Sequence, residues 1–424
     1  MSDMPWITAD RRSVPTHRRQ PRTAESVSHL QRIMPRFISV LFAAIFALLS
    51  SYTCDANAKD SVPALAQASS ELPDDHPVFD LAEGVYTIGS TWTISKPGVT
   101  VRGAGIGKTI LIRDPKFDGV MVKMDGANST ISNLTLDGNG TATVISLNRP
   151  GAMAHTIEVK NFDHIGIAVP ASDCRVSNCV ISGFGEASIQ SIGIWHDAGR
   201  TPTASTIGID RNTIKNNGMC GIYCTGGKIT ITDNQLSGNH IITSPGGGQI
   251  DIGNAFSTNT VATITGNTIV NGGSIKAGGI ELGGGNFTVT NNVIRDHGGS
   301  GIGIGHNAVR ATIKGNTISN CGHNIADKNK PQARAGIYIA YGAANVEISG
   351  NRCFDDQPNK TQTWGIILSA PPARPDPRFS LRATEHVVVK SNDLRGNIHP
   401  EGLLNQSGAR DRVVSGNLPA EADR

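Results

Sequence analysis

The 424 residues contain no Cys-x-x-Cys pair, no His-Glu-x-x-His and no Gly-x-Ser-x-Gly. That removes a paired-cysteine zinc site, a zincin and an α/β-hydrolase nucleophile elbow. Aromatic residues supply only 5% of the chain and charged residues 17%, against 49 glycines. Two or three globular domains would be the usual expectation for this length, but a solenoid lengthens without widening its core, and the composition fits one long domain of that kind. The apolar run Phe37 to Ser51 has 15 residues, short for a membrane span. An excess of one charge is missing too. The first 36 residues hold seven Arg, no Lys and three acids, and the remainder has 31 basic and 32 acidic residues. The formal net charge of +3 therefore makes no case for nucleic-acid binding.

A nucleotide is excluded on similar grounds. Gly105-Ile106-Gly107-Lys108-Thr109 looks like part of a phosphate loop, but the Walker spacing requires glycine where Arg102 stands, and the dinucleotide spacing requires it where Lys108 stands. These residues read as turns between strands.

What is there falls into segments. Residues 1–33 read as a disordered Arg-rich extension that precedes an alternative start at Met34. Residues 34–58 read as a secretory signal: Arg36, the apolar run, then Ala56-Asn57-Ala58 as a small-residue cleavage site. Cys54 follows Tyr52-Thr53 rather than the small residues of a lipoprotein signal, and the pairs Arg11-Arg12 and Arg18-Arg19 do not adjoin the apolar run. The expectation is an exported protein, periplasmic or extracellular, with no stable membrane span after cleavage. Residues 59–76 read as a linker, 77–418 as one repeat domain and 419–424 as a tail.

The repeat is a rung: an aliphatic residue three before an Asn, another two after it, then Gly-Ile-x-aliphatic. Ile209-Asn212-Ile214 with Gly221-Ile222-Tyr223 is one copy, and Ile264-Asn267-Ile269 with Gly279-Ile280-Glu281-Leu282 another. The anchors Ile167, Ile194, Ile222, Ile250, Ile280, Ile302, Ile337 and Ile366 lie mostly 22 to 30 residues apart. Fixed layout with variable loops means a solenoid. Alternating apolar residues make the segments short strands, and a column of β-branched Ile suits stacked rungs. The fold class expected is all-β, a single-stranded right-handed parallel β-helix. Asn178, Asn212, Asn234, Asn267, Asn292, Asn316, Asn351 and Asn392 sit between strands, where a left-handed turn residue is expected and stacked amides satisfy one another.

The opening rungs carry Gly84-Val85-Tyr86 and Pro97-Gly98-Val99-Thr100-Val101 followed by Gly103. On these elements the chain resembles the pectin-lyase-like superfamily of right-handed parallel β-helix proteins, and the likeness runs through the later rungs to about residue 418. The resemblance implies the fold; the superfamily includes lyases, hydrolases, epimerases and non-catalytic surface proteins, so it leaves the activity open.

If the Ile anchors face inward, the next residues face outward as one file: Ala168, Trp195, Tyr223, Asp251, Glu281, Gly303, Tyr338 and Ile367. Trp195, Tyr223 and Tyr338 offer platforms for sugar rings, and Asp251 and Glu281 on adjacent rungs, about 5 Å apart by strand spacing, offer acid and base. Insertions at 183–191, 238–248, 321–335 and 354–363 are expected to wall one edge of this face. A polysaccharide is the expected partner. The leading reading is a lyase that cleaves an acidic polysaccharide by β-elimination, with Lys276 or Arg200 taking the C5 proton and Ca2+ held by Asp197, Asp251 and Glu281. The alternatives are a glycoside hydrolase using the Asp251/Glu281 pair, a uronate C5-epimerase, and a non-catalytic glycan-binding or structural β-helix. His306, after Gly305, resembles the Gly-His element of polygalacturonase-type hydrolases, although that family's Asn-Thr-Asp, Asp-Asp and Arg-Ile-Lys elements are absent, as is the Asp-Pro-His-Asp run of alginate epimerases. His196 is expected inside, His240 and His297 in solvated turns, and Cys220, Ile222 and Cys224 together inside. Most of the six cysteines after the signal read as core fillers, with an inter-rung disulfide open. Pro371 to Pro377 reads as a stiff surface loop.

Overall fold

Strands recur in threes because each rung turns three corners. In the computed structural model the first strand of a rung joins a 13-stranded sheet, the second an 11-stranded sheet and the third a 12-stranded sheet, every pairing parallel and each strand paired with the strand three places on, until the last rungs, where the second strand drops out and the interval is two. This is the right-handed parallel β-helix expected from the rung pattern. The structure describes residues 60–72, 77–140, 143–184, 190–198, 205–241, 247–253, 259–272, 277–305, 307–323, 335–371, 384–409 and 411–418.

The eight Ile anchors stack in register in the 12-stranded sheet, Ile167 on Ile194 through to Ile337 on Ile366, and none is exposed. Full burial of each is worth about 1.5–3 kcal/mol. The glycine before the anchor has a steric cause. A β-carbon on Gly193 would stand 2.6 Å from the carbonyl oxygen of Gly221, one on Gly279 2.6 Å from that of Gly301, and one on Gly301 2.8 Å from that of Gly336. Any side chain there would force the rungs apart. A β-carbon on Gly221 would also meet Leu236 and Asn239, both buried, so the chain already faces inward at 221 and again at Ile222. Strict alternation breaks at that corner. Cys224 accordingly joins the hydrophobic core and Cys220 does not, contrary to the expectation that they share a side.

The corner between the 13- and 11-stranded sheets is a two-residue turn in rung after rung, from Asn178-Cys179 to Gly350-Asn351. Its first residue is left-handed: Asn178, Arg211, Asp233, Gly266, Asn291, Gly315 and Gly350, with φ between 54° and 69°. Its second residue is the ladder Asn. The expected division of labour is thus corrected, since the stacked Asn are not the left-handed residues, and Asn178 belongs to the turn while Cys179 takes its place in the column. From Asn212 through Asn234, Asn267, Asn292, Asn316, Asn351 and Asn392 to Asn417, each side-chain oxygen accepts from both the backbone N–H and the amide of the preceding Asn, at 2.8–3.0 Å. Each side-chain amide also reaches a carbonyl of an earlier rung, as Asn267 does to Ile231 at 3.0 Å. Buried corners cannot leave these groups unpaired without a penalty.

The N-terminal end is covered rather than loosely linked. Within the segment expected as linker, residues Val62–Ser70 form a helix that buries Val62 and Leu65 against the first rungs. Asp60 fixes its approach by accepting from Val62 N–H and Gly89 N–H, both at 3.0 Å. Residues 104–108 form the turn between Thr100–Gly103 and Thr109–Arg113, with the Thr109 hydroxyl accepting from Ala104 N–H at 2.9 Å. The six described cysteines are free thiols, and Cys353 stacks on Ile318 as a core filler. Among the described residues no helix is long and apolar enough to cross a membrane.

Candidate functional site

The register places the outward positions in one file: Ala168, Trp195, Tyr223, Asp251, Glu281, Gly303, Tyr338 and Ile367 follow one another strand by strand. Trp195, Tyr223, Asp251, Glu281 and Tyr338 are half-buried, open enough to meet a ligand and dry enough to be electrostatically perturbed. Burial pushes the Asp251 carboxyl up to about 7. Burial, and secondarily the charge of Asp251, pushes Glu281 up to about 8. Desolvation disfavours a carboxylate, and two acids facing one pocket disfavour double ionisation, so the pair retains a proton near neutral pH. Burial raises the Tyr223 and Tyr338 phenols as well, and both feel a neighbouring carboxylate, Asp251 and Glu281 respectively. The thiol of Cys220 is likewise raised, by burial first and by Asp251 second.

The two carboxyls border different glycines. A β-carbon on Gly303 would stand 2.2 Å from Glu281 Oε2, and one on Gly278 2.6 Å from Oε1. Glu281 therefore lies against the bare backbone of Gly303 on the next strand and of Gly278 on its own. The Asp251 carboxyl borders Gly247, whose β-carbon would stand 3.5 Å from Oδ2 and 2.9 Å from Nε2 of His240.

Residues 92–241 and 200–365 match the family model described as "Right handed beta helix region". The chain belongs to this right handed beta helix family. Among solved structures this β-helix is similar to the alginate lyase AlyF-OU02, solved as a complex, at TM-score 0.64 and 16% identity over 86% of this chain and 84% of that one. A PL6 alginate lyase solved with a trisaccharide matches at TM-score 0.62 and 16% identity, over 86% and 83%. The catalytic unit of a GH87 alpha-1,3-glucanase from Streptomyces thermodiastaticus matches at TM-score 0.56 and 15% identity, over 86% and 66%. No curated protein matches the chain.

Other expected site residues of the β-helix divide into two groups. Arg200, Lys276 and His306 lie outside the described residues. Asp197 sits past the end of the Ile192–His196 strand, where it accepts a 2.6 Å hydrogen bond from the Thr225 hydroxyl. Among the described residues no three His, Cys, Asp or Glu side chains gather as a metal-holding group. Asp197, Asp251 and Glu281 thus do not fit the Ca2+ site expected of them; a calcium ion needs six or more oxygens, and burial favours the neutral form of two of these carboxyls.

His196 is a satisfied core histidine as expected, fully buried, with Nδ1 2.6 Å from the Val169 carbonyl and Nε2 3.3 Å from the Ser205 hydroxyl. His240 and His297 are buried rather than solvated. His297 lies in a second polar corner column that the repeat pattern did not signal, near positions where Asn217 bonds Asn239 and Asn239 bonds Gln249. His240 was missed as a neighbour of Asp251 because it sits outside the rung consensus. The insertions expected at 183–191, 238–248, 321–335 and 354–363 precede strands of the anchor sheet in chain order, while segments 197–205, 253–260 and 369–384 follow them; residues 185–189, 199–204, 242–246, 254–258, 324–334 and 372–383 of these lie outside the described residues.

Proposed function

We propose that this is an exported polysaccharide-active enzyme in which a sugar polymer lies along Trp195, Tyr223, Asp251, Glu281 and Tyr338 and the two carboxyls exchange protons with it. One observation carries the reading: adjacent half-buried acids whose surroundings raise them to about 7 and 8, in the middle of a file that ends in aromatic platforms. A pair that shares one proton near neutral pH presents an acid and a base together, which is what cleaving a glycosidic linkage requires.

The preferred chemistry is β-elimination on a uronate polymer. The base removes the proton at C5, the C4–O bond breaks as the C4–C5 double bond forms, and the protonated partner delivers its proton to the departing oxygen. Glu281, the higher of the two, is the donor in this reading. The likeness to two alginate lyases supports this reading at the level of fold. Hydrolysis is the second reading, favoured by the same pair of raised acids on adjacent strands, since a protonated acid beside a base or nucleophile is what a glycosidase requires.

The test is product chemistry. Incubation with alginate, polygalacturonate and neutral glucans separates the readings: a new ultraviolet absorbance from unsaturated uronate supports elimination, and reducing ends without absorbance support hydrolysis. Polymer binding with neither product would leave a non-catalytic glycan-binding β-helix.

A further inference from the structure

A cavity of about 890 Å3 lies at the C-terminal end of the coil, between the 354–363 segment and residues 393–400. Its cations are Arg352, Lys360 and Arg395, and its carboxylates are Asp355 and Asp393. Both carboxylates are engaged. Asp355 is buried and accepts from the backbone N–H groups of Gln357, Thr361 and Gln362 at 3.0, 2.6 and 2.8 Å, so its charge staples its own loop. Asp393 accepts a two-pronged bond from Arg395 at 2.9 and 3.0 Å and faces Arg352 at 4.0 Å. Arg352 lies 4.2 Å above the ring of Phe354, which fixes its guanidinium on the cavity wall. Lys360 is exposed and forms no ion pair among the described residues. Three cations against two occupied carboxylates leave a formal excess of one positive charge, beside apolar surface from Phe354 and the 44%-exposed Ile398. That combination suits a single anionic group carried on a ring with C–H faces.

The cavity is joined to the file's sheet through the chain. The 354–363 segment runs into the anchor-sheet strand Trp364–Leu368, where Ile367 pairs with Tyr338, and Trp364 stacks on His399 at 4.1 Å. The pocket therefore lies on the 11-stranded sheet, at the strand Arg352–Phe354 and in the loops that lead from it toward the last strands of the file's sheet. We propose that this cavity is a subsite for a carboxylate-bearing sugar residue, apart from the carboxyl pair. The proposal rests on the polysaccharide reading for the identity of the chain that brings that sugar, and it assigns that chain negative charge.

The test uses the full chain carrying Glu281→Gln, so that polymer is not consumed, with and without Lys360→Glu. Affinity electrophoresis compares alginate with its propylene glycol ester and polygalacturonate with its methyl ester. Reversing the Lys360 charge is expected to weaken binding of an acidic polymer by about five-fold or more while leaving its ester unchanged. Lys360 is exposed, so the fold is undisturbed; Lys360→Ala provides a smaller change of the same sign. Equal loss for acid and ester, or no loss, overturns the subsite. Competition by inorganic sulfate as effective as that by an oligouronate also overturns it, in favour of a site for free anions. Charge-dependent binding without turnover by the unsubstituted protein would instead retain the subsite and sink the enzyme reading.

Discussion

The carboxylate of Glu281 rests on the backbone of Gly303: a β-carbon at that glycine would lie 2.2 Å from Oε2, 2.7 Å from Cδ and 2.8 Å from Oε1. Gly303 is the one position between Glu281 and Tyr338 in the file, and its missing side chain is the space the carboxylate occupies. Gly303→Ala is expected to displace a flexible carboxyl rather than the rung. Activity on the polymer should fall at least ~10-fold, about 1.4 kcal/mol of misplaced acid, with the melting temperature little changed. Rates and thermal melts on the same preparation check this.

The raised carboxyls give stability a pH dependence of known sign. A carboxyl that binds its proton more tightly folded than unfolded contributes stability that is full below the unfolded value near 4 and is lost as pH rises through the folded values of about 7 and 8. Asp251→Asn and Glu281→Gln should therefore melt higher than the parent at pH 9, on the order of 1–3 kcal/mol after allowing for their contact with solvent, and no higher at pH 4. Melting curves from pH 4 to 9 read this out. The rate profile of the parent should be bell-shaped with its maximum between the two pair values.

His297 works in the opposite sense. It is fully buried, burial lowers its imidazole to about 4, and Nε2 lies 3.2 Å from the Ile269 carbonyl. A folded value below the unfolded 6.5 means its contribution is full above that pH and is lost as pH falls toward 4. Its own contribution falls by about 3 kcal/mol over that window, against the opposite contribution of the carboxyl pair, so the stability advantage of the parent over His297→Gln should shrink as pH falls from 7 to 4, as parallel acid titrations of the two melting temperatures will record.

Asn267 stands mid-ladder, accepting from Asn234 and donating to Ile231, Thr265 and Asn292. Asn267→Ala should cost about 2–4 kcal/mol because it strands buried donors and acceptors in both neighbouring rungs. Asn417→Ala, at the partly buried end of the column, should cost less. Urea unfolding midpoints compare the two.

Much of this was legible in the sequence. The Ile column, the Asn column and the outward file each follow from fixed spacing, because parallel stacking converts residue separation into vertical alignment. Asn178 shows where spacing failed: the turn needs one left-handed residue and one ladder residue, Asn serves either role, and only the register separates Asn178 from Asn212. Cys220 failed for a related reason, since two consecutive inward residues at Gly221 and Ile222 break the period of two. The seat of Glu281 against Gly303 was hidden because glycine writes no pattern, and His240 because insertions carry no repeat. Asp251, Glu281 and the aromatics were found because they interrupt a column whose other members are plain.

The central claim is proton exchange by Asp251 and Glu281 on a bound polysaccharide, and the most direct measurement is turnover of acidic polymers by the parent and by Glu281→Gln, with binding measured in parallel. The account predicts cleavage by the parent, a loss of ~100-fold or more in Glu281→Gln, and unchanged binding. Cleavage by Glu281→Gln at the parent rate, or no cleavage of any polymer that the parent binds, would contradict it.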